Sequence, residues 1–541
     1  MAVKGENVEL SDDLLGVSEE VQINADDIRT AMLLARDEFG ETSWQLAASN
    51  RHQIVLEKLM DWAKEIQLNP DEIVNKLLLD QEEEGRRRTW FVASYNRNVI
   101  LLDRLCYLFS LNGNRKEIKS KLLLARNEYG ETALHLATAG GNVVVLEKIR
   151  AFAKEAELNV ESIKKKLLHM KNKYGHTAWH EETDSCNDVF SEVLFSWARE
   201  LELNPVEVLL TQNDNGETVF HVALNKNRVE VLQKLLAWAT EAQPNSVELK
   251  NKLLLAENVC VYSAWHRAAE QGNLLQLHIV LSWAKETELN PDKVLLTQND
   301  NGETAFHMAV NGNRVEVLQN LCDWAVEAQL NSDELKNKLL LAEDKYGYTA
   351  WHRAAARGYL EALELLWCFA KKAELNPDEL LLVQDEKRGT ALHLAAQEEH
   401  VGILEALLIW AEEAQPNSKE LKNKLLLAKD KDGYSAWHIA AERGNLVALE
   451  ILWSWAKEAE LKPEKLLLAQ NNRGKTALYF AAKRNRVDIL QKMWVWAEEA
   501  QLNPSELDKN LLLAEDKYGN ITWHRAERFG TLKEFWRRLR K

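Results

Sequence analysis

The sequence has no uninterrupted apolar stretch that approaches the roughly twenty residues of a membrane-spanning helix. Residues 1–13 include charges and lack the apolar segment of a secretory signal. A disulfide framework is not indicated either, because the cysteines are odd in number and scattered: they are Cys106, Cys186, Cys260, Cys322 and Cys368. We therefore expect an intracellular, cytoplasmic protein in a reducing compartment, without a membrane span.

An excess of positive charge is also missing. With 68 Lys and Arg against 84 Asp and Glu, the chain has a formal net charge of −16. This argues against binding a nucleic-acid backbone, which needs an electropositive surface. No glycine pattern resembles a phosphate-binding loop, no Cys-x-x-Cys pair occurs, and no serine stands in a nucleophile-elbow setting. We predict neither catalysis nor a cofactor.

Only eight prolines occur in the 541 residues, and no Gly/Ser-rich or low-complexity linker interrupts them. Instead, tryptophan returns at an interval of 86 residues, at Trp179, Trp265, Trp351, Trp437 and Trp523. The equivalent slot in the alternate copies holds other apolar residues, namely Leu134, Phe220, Phe306, Leu392 and Leu478. With Trp44 and Trp90, these landmarks mark twelve copies of one unit. A period of this size predicts a stacked solenoid.

The interval between landmarks alternates between 45 and 41 residues from Leu134 onward. The longer form carries four extra residues in the segment that joins one copy to the next, as the stretches beginning at Asn331 and Asn376 show. Four residues are about one helical turn, so the insertion should lengthen a helix without rotating its apolar face away from the core.

The copy at 345–386 predicts three helices. Gly347 breaks the chain, and the hydroxyl that follows it caps a first helix over 350–357. A second helix of about sixteen residues follows within 359–375, on the helical spacing of its leucines. Asn376 and the proline after it then begin a short third helix.

Two side chains recur in fixed relation to the landmark. Eighteen positions after it, most copies place a tryptophan, which we interpret as core because each indole buries a large area: these are Trp62, Trp197, Trp238, Trp283, Trp324, Trp410, Trp455 and Trp496. Directly after the landmark, nine copies place a histidine: His135, His180, His221, His266, His307, His352, His393, His438 and His524. Equivalent positions lie about 8–10 Å apart, whereas zinc ligands approach the ion to about 2 Å, so we interpret these histidines as structural and not as metal ligands.

The start of the first helix carries a recurring sequence motif, as in Gly302-Glu-Thr-Ala-Phe-His, Gly389-Thr-Ala-Leu-His and Gly433-Tyr-Ser-Ala-Trp-His. It resembles the ankyrin repeat, over about residues 25–541. Since that family's period is about 33 residues, the resemblance implies enlarged repeats of roughly 43 residues in which a third helix replaces the turn-and-hairpin finger. It implies an all-α, curved α-solenoid of about twelve three-helix repeats, with the first helices on the concave side and the histidine tying its own or the next turn.

The resemblance also implies that the position between the turn glycine and the Thr/Ser cap projects toward the concave surface. Tyrosine and glutamate recur there, and the six positions are Tyr262, Tyr348, Tyr434, Glu131, Glu217 and Glu303. Tyrosine is a frequent interface anchor and a row of glutamates favours a basic partner, so these residues form our candidate protein-binding site. The alternative is that each tyrosine packs on the neighbouring turn.

A second row of aromatics precedes the turn glycines, and we interpret it as stapling the turns: Phe39, Tyr129, Tyr174, Tyr346 and Tyr518. In the fourth copy, Glu182 and Thr183 replace the usual small pair, and a charge at a close-packing site costs stability. We therefore predict a local bend or a loosened first helix around 180–188.

The ends of the repeat array are expected to be caps. Residues 1–24 form the predicted N-terminal capping segment, and 25–541 form one continuous solenoid that ends in a basic helix at Leu539-Arg540-Lys541. On function, we predict a non-enzymatic scaffold or adaptor, or an effector, that binds a protein along the concave surface. The alternatives are a mechanical or organisational spacer without a privileged patch and, third, an enzyme. Fold does not dictate the partner.

Overall fold

The computed structural model describes residues 25–501, except 36, 38–41, 44–45, 48–51, 67–90, 92–93, 96–101, 103–114, 142, 156–159, 185–187, 242–245, 261, 291, 328–332 and 415–417. The chain divides into two compact units between Val259 and Cys260. Each unit is an all-α solenoid, as predicted, and isolated bridges are the only β-structure among the described residues. The predicted caps at 1–24 and at the C-terminal end lie outside these residues, and a single continuous solenoid stays a prediction.

Three kinds of helix alternate along the chain. The first helices are Ala133–Ala139, Ala178–Asp184, Val219–Asn225, Ala264–Gln271, Ala305–Asn311, Ala350–Arg357, Ala391–Gln397, Ala436–Arg443 and Ala477–Lys483. The second helices are Gln53–Glu65, Val143–Glu155, Asp188–Glu200, Val229–Glu241, Leu274–Glu286, Val315–Glu327, Leu360–Lys372, Val401–Glu413, Leu446–Glu458 and Val487–Glu499. The third helices are Ala25–Leu34, Arg115–Leu124, Val160–His169, Pro205–Leu209, Ser246–Leu254, Asp292–Leu295, Asp333–Leu341, Pro377–Leu381, Ser418–Leu427 and Pro463–Leu467.

The third helix absorbs the four-residue insertion. Ser418–Leu427 has ten residues, whereas the following third helix, Pro463–Leu467, has five. Both end on a buried apolar pair, Leu425 with Leu426 and Leu466 with Leu467, all at most 3% exposed. The added turn therefore leaves the apolar face in phase with the core, as the alternating interval predicts.

The second helices are shorter than the sequence suggests. Leu360–Lys372 has thirteen residues, so the expected length of about sixteen, over 359–375, was wrong. The helix stops because Glu374 adopts a left-handed conformation, with φ +52°. The backbone N–H of Leu375 then donates to the carbonyl of Ala370 at 3.1 Å, which closes the end of the helix.

A hydrogen-bonded turn is retained before eight of the nine described first helices, which corrects the expectation that the third helix replaces it. The backbone N–H of Asn213 donates to the carbonyl of Glu217, and that of Gly216 donates to the carbonyl of Asn213, both at 2.9 Å. The Asn213 side chain accepts the backbone N–H groups of Asn215 and Glu217, each at 2.9 Å. Because the extra residues lie inside the third helix, this Asn-to-Gly turn keeps its spacing.

Successive turn tips are joined by backbone hydrogen bonds. In the second unit, Lys345 N–H donates to the carbonyl of Asn301 at 2.8 Å, and Asn472 N–H donates to that of Asp432 at 3.0 Å. In the first unit, Asp214 N–H donates to the carbonyl of Tyr174 at 3.0 Å. Each turn therefore shares its hydrogen bonding with the next one, so neighbouring copies are held in register at their tips.

Buried tryptophans fill the space between the helices, as predicted. Trp351 is fully buried, and its ring centroid lies 5.4 Å from that of Trp410 and 6.3 Å from that of Trp367. In the next copies Trp437 packs 5.6 Å from Trp496 in the same way. Trp44, Trp90 and Trp523 lie outside the described residues.

Replacing Gly347 by alanine is expected to lower the free energy of unfolding by at least about 1–2 kcal/mol, because φ is +71° there, a region that disfavours side chains. A Cβ atom would also collide with the backbone nitrogen of Glu386 in the following turn. Urea denaturation of the purified chain measures the change.

Gly402→Ala is the matched control. A Cβ atom at Gly402 would meet only the Leu360 side chain, at an ordinary 3.5 Å, and alanine favours the helix. We expect this variant to be neutral or slightly stabilising. An equal loss of stability in both variants would mean that Gly347 is not conformationally required.

Candidate functional site

A histidine connects two repeats on eight of the nine described first helices, whereas Ala477–Lys483 has Tyr479 at this position. In the copy at 433–443, Nδ1 of His438 accepts the backbone N–H of Ser435 at 3.2 Å and lies 2.8 Å from its hydroxyl oxygen. Since Nδ1 accepts, the imidazole proton is on Nε2, which donates to the carbonyl of Ala469 in the next copy at 3.0 Å. The predicted structural role is thereby confirmed.

The same arrangement recurs with either of two acceptors. Some of the histidines donate to the end of the next third helix, as His352 does to Val383 at 3.1 Å. Others donate to the carbonyl of the residue just before the next cap, as His307 does to Tyr348 at 2.9 Å. His524 lies outside the described residues. The histidines thus hold the backbone carbonyl at four of the six candidate positions, which are Glu217, Glu303, Tyr348 and Tyr434.

Burial keeps these imidazoles neutral. It lowers the pKa of His180 and His438 to about 4, from an ordinary value of 6.5. The pKa is lowered for the same reason at His135, His266, His307, His352 and His393. Nδ1 already accepts a backbone N–H, so a second proton on the ring would also lose that hydrogen bond.

The residue between the turn and the cap defines what we name the pre-cap row. In the first unit the row consists of Glu131, His176 and Glu217, and in the second unit it consists of Tyr262, Glu303, Tyr348, Gly389, Tyr434 and Lys475. The structure therefore places all six candidate residues at equivalent points of their copies, two of them in the first unit and four in the second. Their side chains differ in burial, which decides what each can contact.

The three tyrosines are half-buried and lie against their own first helices. The guanidinium carbon of Arg267 is 4.6 Å from the ring centroid of Tyr262, and the hydroxyl of Tyr262 donates to Met308 Sδ at 3.9 Å. Tyr434 lies 5.0 Å from the ring of Phe480 in the next copy. Tyr262 and Tyr434 thus pack in part on the next first helix, and Tyr262 also contacts the next turn through a hydrogen bond with Asn299.

Tyr348 belongs to a charged network. Arg353 lies 5.2 Å from its ring centroid and donates through Nε to Asp344 Oδ2 at 2.9 Å. Nη2 of the same arginine is 3.8 Å from Glu303 Oε1. Because Asp344 is only 6% exposed, the arginine is anchored and the tyrosine ring rests on a fixed surface.

The three glutamates are bound to their own turns. Glu217 accepts from the side-chain amides of Asn213 at 3.2 Å and Asn225 at 2.8 Å. Glu131 accepts from Asn127 at 2.7 Å, and burial raises the pKa of its carboxyl. Glu303 makes the same two kinds of contact and is only 8% exposed. Glu131 and Glu217 therefore retain exposed carboxylate area, whereas Glu303 acts mainly through its charge.

Sequence reasoning missed the arginines beside the tyrosines. Arg267 and Arg353 stand five residues after Tyr262 and Tyr348. This pairing of tyrosine and arginine was a visible signal in the sequence, although Ile439 stands in place of the arginine five residues after Tyr434. Burial raises the pKa of all three tyrosine hydroxyls, so each remains a hydrogen-bond donor at neutral pH.

The irregular fourth copy is ordered over its described part. Ala178–Asp184 forms a first helix of seven residues, the same length as Ala133–Ala139, so the loosening predicted for this helix is not observed there. Thr183 Oγ1 donates to the carbonyl of His180 at 2.8 Å, which satisfies its hydroxyl inside the helix. Residues 185–187 lie outside the described part.

The aromatics at the turn tips are exposed and do not staple the turns. Tyr129, Tyr174 and Tyr346 are 47%, 56% and 60% exposed. The turns are held instead by polar side chains such as Asp344, whose Oδ1 accepts two backbone N–H groups at 2.8 and 3.0 Å. Phe39 and Tyr518 lie outside the described residues.

Membrane-spanning helices and metal-binding clusters are both absent from the described residues. No helix of this part of the chain is long and apolar enough to cross a membrane. Within the same residues, no group of three or more His, Cys, Asp and Glu side chains could hold a metal ion.

The chain was then compared with known proteins. A family model described as ankyrin repeats, in three copies, matches residues 265–378 and 324–420. Among solved structures, the chain is similar to the ankyrin repeat domain of Bcl-3, a member of the IkappaB protein family, at 21% identity over 49% of this chain and 94% of that one, with a TM-score of 0.35. No curated protein matches the chain.

Proposed function

We propose that this chain, which matches ankyrin repeats over residues 265–378 and 324–420, is a non-enzymatic scaffold that binds a protein partner along its pre-cap row. Ankyrin repeats are in general modules of protein–protein interaction. The proposed contact residues are Tyr262, Tyr348, Tyr434, Glu131, Glu217 and Glu303. The proposal includes an intracellular role as an adaptor or an effector.

The observation that carries the proposal is the setting of the tyrosines. Each ring is half-buried, is backed by a first helix and keeps a protonated hydroxyl, so it can be covered by a partner without first being ordered. Interface anchors are typically aromatic side chains of this kind, because little conformational entropy is lost when they bind. A spacer has no need for such a recurrent aromatic.

The charge of the row favours a partner with a basic surface. Glu131 and Glu217 present carboxylate area in the first unit. In the second unit Glu303 is partly offset by Arg353, so it contributes least. The acidic balance of the whole chain, −16, would also steer a basic partner toward it.

Replacing Tyr262, Tyr348 and Tyr434 together by alanine is expected to weaken binding of the partner at least about thirtyfold, the equivalent of about 2 kcal/mol for one interface anchor. The partner is first identified by affinity capture with the wild-type chain and mass spectrometry. Its dissociation constant is then measured for wild type and variant with purified proteins.

The matched control removes three tyrosines from the turn tips, Tyr129, Tyr174 and Tyr346, which are exposed and outside the row. The control should bind the partner as tightly as the wild type. A variant with all three row tyrosines replaced by phenylalanine keeps the ring packing, so its affinity shows what the hydroxyls alone contribute. Equal binding by wild type and the row alanine variant would favour the spacer. Loss only in the control would move the interface to the turn tips.

A further inference from the structure

A cavity of about 390 Å³ lies at the ends of two adjacent first helices, Ala436–Arg443 and Ala477–Lys483. Its lining residues are Glu442, Arg443, Arg484 and Arg486. Three of these four side chains are guanidinium groups, in a chain whose net charge is −16. A cavity with this lining attracts anions, against the charge of the protein as a whole.

The position of Arg486 is fixed by the fold. Its Nη2 donates to the backbone carbonyl of Arg443 at 2.9 Å. Gly444, which ends the helix with φ +89°, lies so close that a Cβ atom there would collide with the Arg486 guanidinium. Although Arg486 is exposed, these two contacts hold its guanidinium beside Arg443, and a group that is already held in place loses less entropy on binding.

Equivalent positions in earlier copies show which part of this arrangement is structural. Arg314 lies against Gly272 and His400 lies against Gly358 in the same way, so a side chain over the helix-ending glycine belongs to the repeat. The residues equivalent to the cavity lining are Glu270, Gln271, Gly312 and Arg314 in one pair of copies and Ala356, Arg357, Glu398 and His400 in the next. Only the pair around Gly444 combines three arginines among these described copies.

The remaining charge of the cavity is balanced only in part. Arg484 Nη2 lies 3.1 Å from Glu442 Oε1, so one cation is paired with a carboxylate. With three guanidinium groups and one carboxylate, the lining carries two positive charges more than negative ones. That is the charge of a phosphate dianion with the opposite sign, and guanidinium groups bind phosphate oxygens in pairs.

We propose that this cavity is a binding site for a phosphoryl dianion, with Arg443 and Arg484 as the residues that bind it and Arg486 as a fixed third donor. The ligand competes with the Glu442 carboxylate for the Arg484 guanidinium. A phosphoryl group reaches the site either on a phosphorylated side chain of a protein or as free phosphate, and both present the same chemistry. The site does not depend on the pre-cap row.

The test uses the full chain and three small probes: inorganic phosphate, the N-acetyl methylamide of phosphoserine, and that of aspartate. Isothermal titration and ³¹P NMR should show saturable binding of at least one phosphorylated probe, and at least tenfold weaker binding of the aspartate probe. Phosphoserine binding tenfold tighter than inorganic phosphate assigns the ligand to a protein, and equal binding assigns it to free phosphate. Aspartate binding as tight as that of the phosphorylated probes, or no saturable binding, overturns the proposal.

Variants locate the binding in the cavity. Arg443→Gln with Arg484→Gln should weaken the phosphorylated probe at least tenfold, while Glu442→Gln, which removes the competing carboxylate, should tighten it severalfold. The matched control is Arg357→Gln, the equivalent of Arg443 in the preceding pair of copies, which donates to the carbonyl of Asn311. Circular dichroism checks that each variant is folded. Equal affinities in wild type and the double variant would place the binding elsewhere and contradict the assignment.

Discussion

Replacing Trp351 by alanine is expected to lower the free energy of unfolding by about 3–5 kcal/mol, the cost of a large aromatic removed from a close-packed core. Trp351 is fully buried and contacts the rings of Trp367 and Trp410, which themselves stack at 5.2 Å between centroids. Because the cavity would lie between helices of neighbouring copies, the loss should spread to both. Urea denaturation followed by circular dichroism measures it.

The matched control for the tryptophan is Ile409→Ala. Ile409 lies on the second helix next to Trp410 but is 52% exposed, so its removal should change stability by no more than about 0.5 kcal/mol. Trp351→Phe, which keeps an aromatic ring, should cost less than alanine. If Trp351→Ala were as mild as the control, the indole would not be a core residue.

Lowering the pH from 7 to 5 is expected to destabilise the fold by about 2 kcal/mol for each of His180 and His438. Burial lowers the pKa of both to about 4, from 6.5. A histidine with a lowered pKa binds fewer protons when folded than when unfolded, so its stabilisation is present above pH 6.5 and is lost progressively as the pH falls toward 4. The other buried histidines add to the loss in the same direction.

Denaturation at pH 7.5, 6.5, 5.5 and 5.0 measures this dependence, and the variant His438→Gln tests its cause. Glutamine can donate to the carbonyl of Ala469 but does not titrate. The variant should therefore lose about 2 kcal/mol of the difference between pH 7 and pH 5. The carboxyl of Glu200, whose pKa is lowered to about 2 by its hydrogen bonds to Lys154 and Arg150, titrates below this range. An unchanged pH profile in the variant would show that His438 is not the group responsible.

The periodic part of the fold was predictable from sequence because every repeat solves the same packing problem. The landmark and core aromatics, the histidine and the four-residue insertion recur at regular intervals, so many copies support the same prediction. The positions at which helices end were not predictable in this way. The early end of the helix Leu360–Lys372 depends on the left-handed Glu374, and the same conformation recurs at Glu202, Glu288 and Glu460, but glutamate is not a residue type that signals a helix end.

The candidate site was predictable only in its position. The spacing of Tyr262, Tyr348 and Tyr434 marked the row, but it gave no indication that Glu303 is buried by Asn299 and Asn311. The same contacts recur at Glu217, with Asn213 and Asn225 as the donors, but the residue pattern alone does not show how far they bury a carboxylate. The arginine cavity was missed for a different reason, because it exists only where two copies contribute arginines together.

The central claim is that neighbouring repeats hold one another through their turns, and amide hydrogen exchange tests it most directly. The backbone N–H groups of Lys345, Lys431 and Asn472 lie in exposed turns, yet each donates to the preceding turn at 2.7–3.0 Å. If the turns are joined, opening should require about 3 kcal/mol or more, and these amides should exchange roughly a hundredfold or more slowly than in an unfolded chain. Exchange at the unfolded rate, while the helices stay protected, would contradict the account.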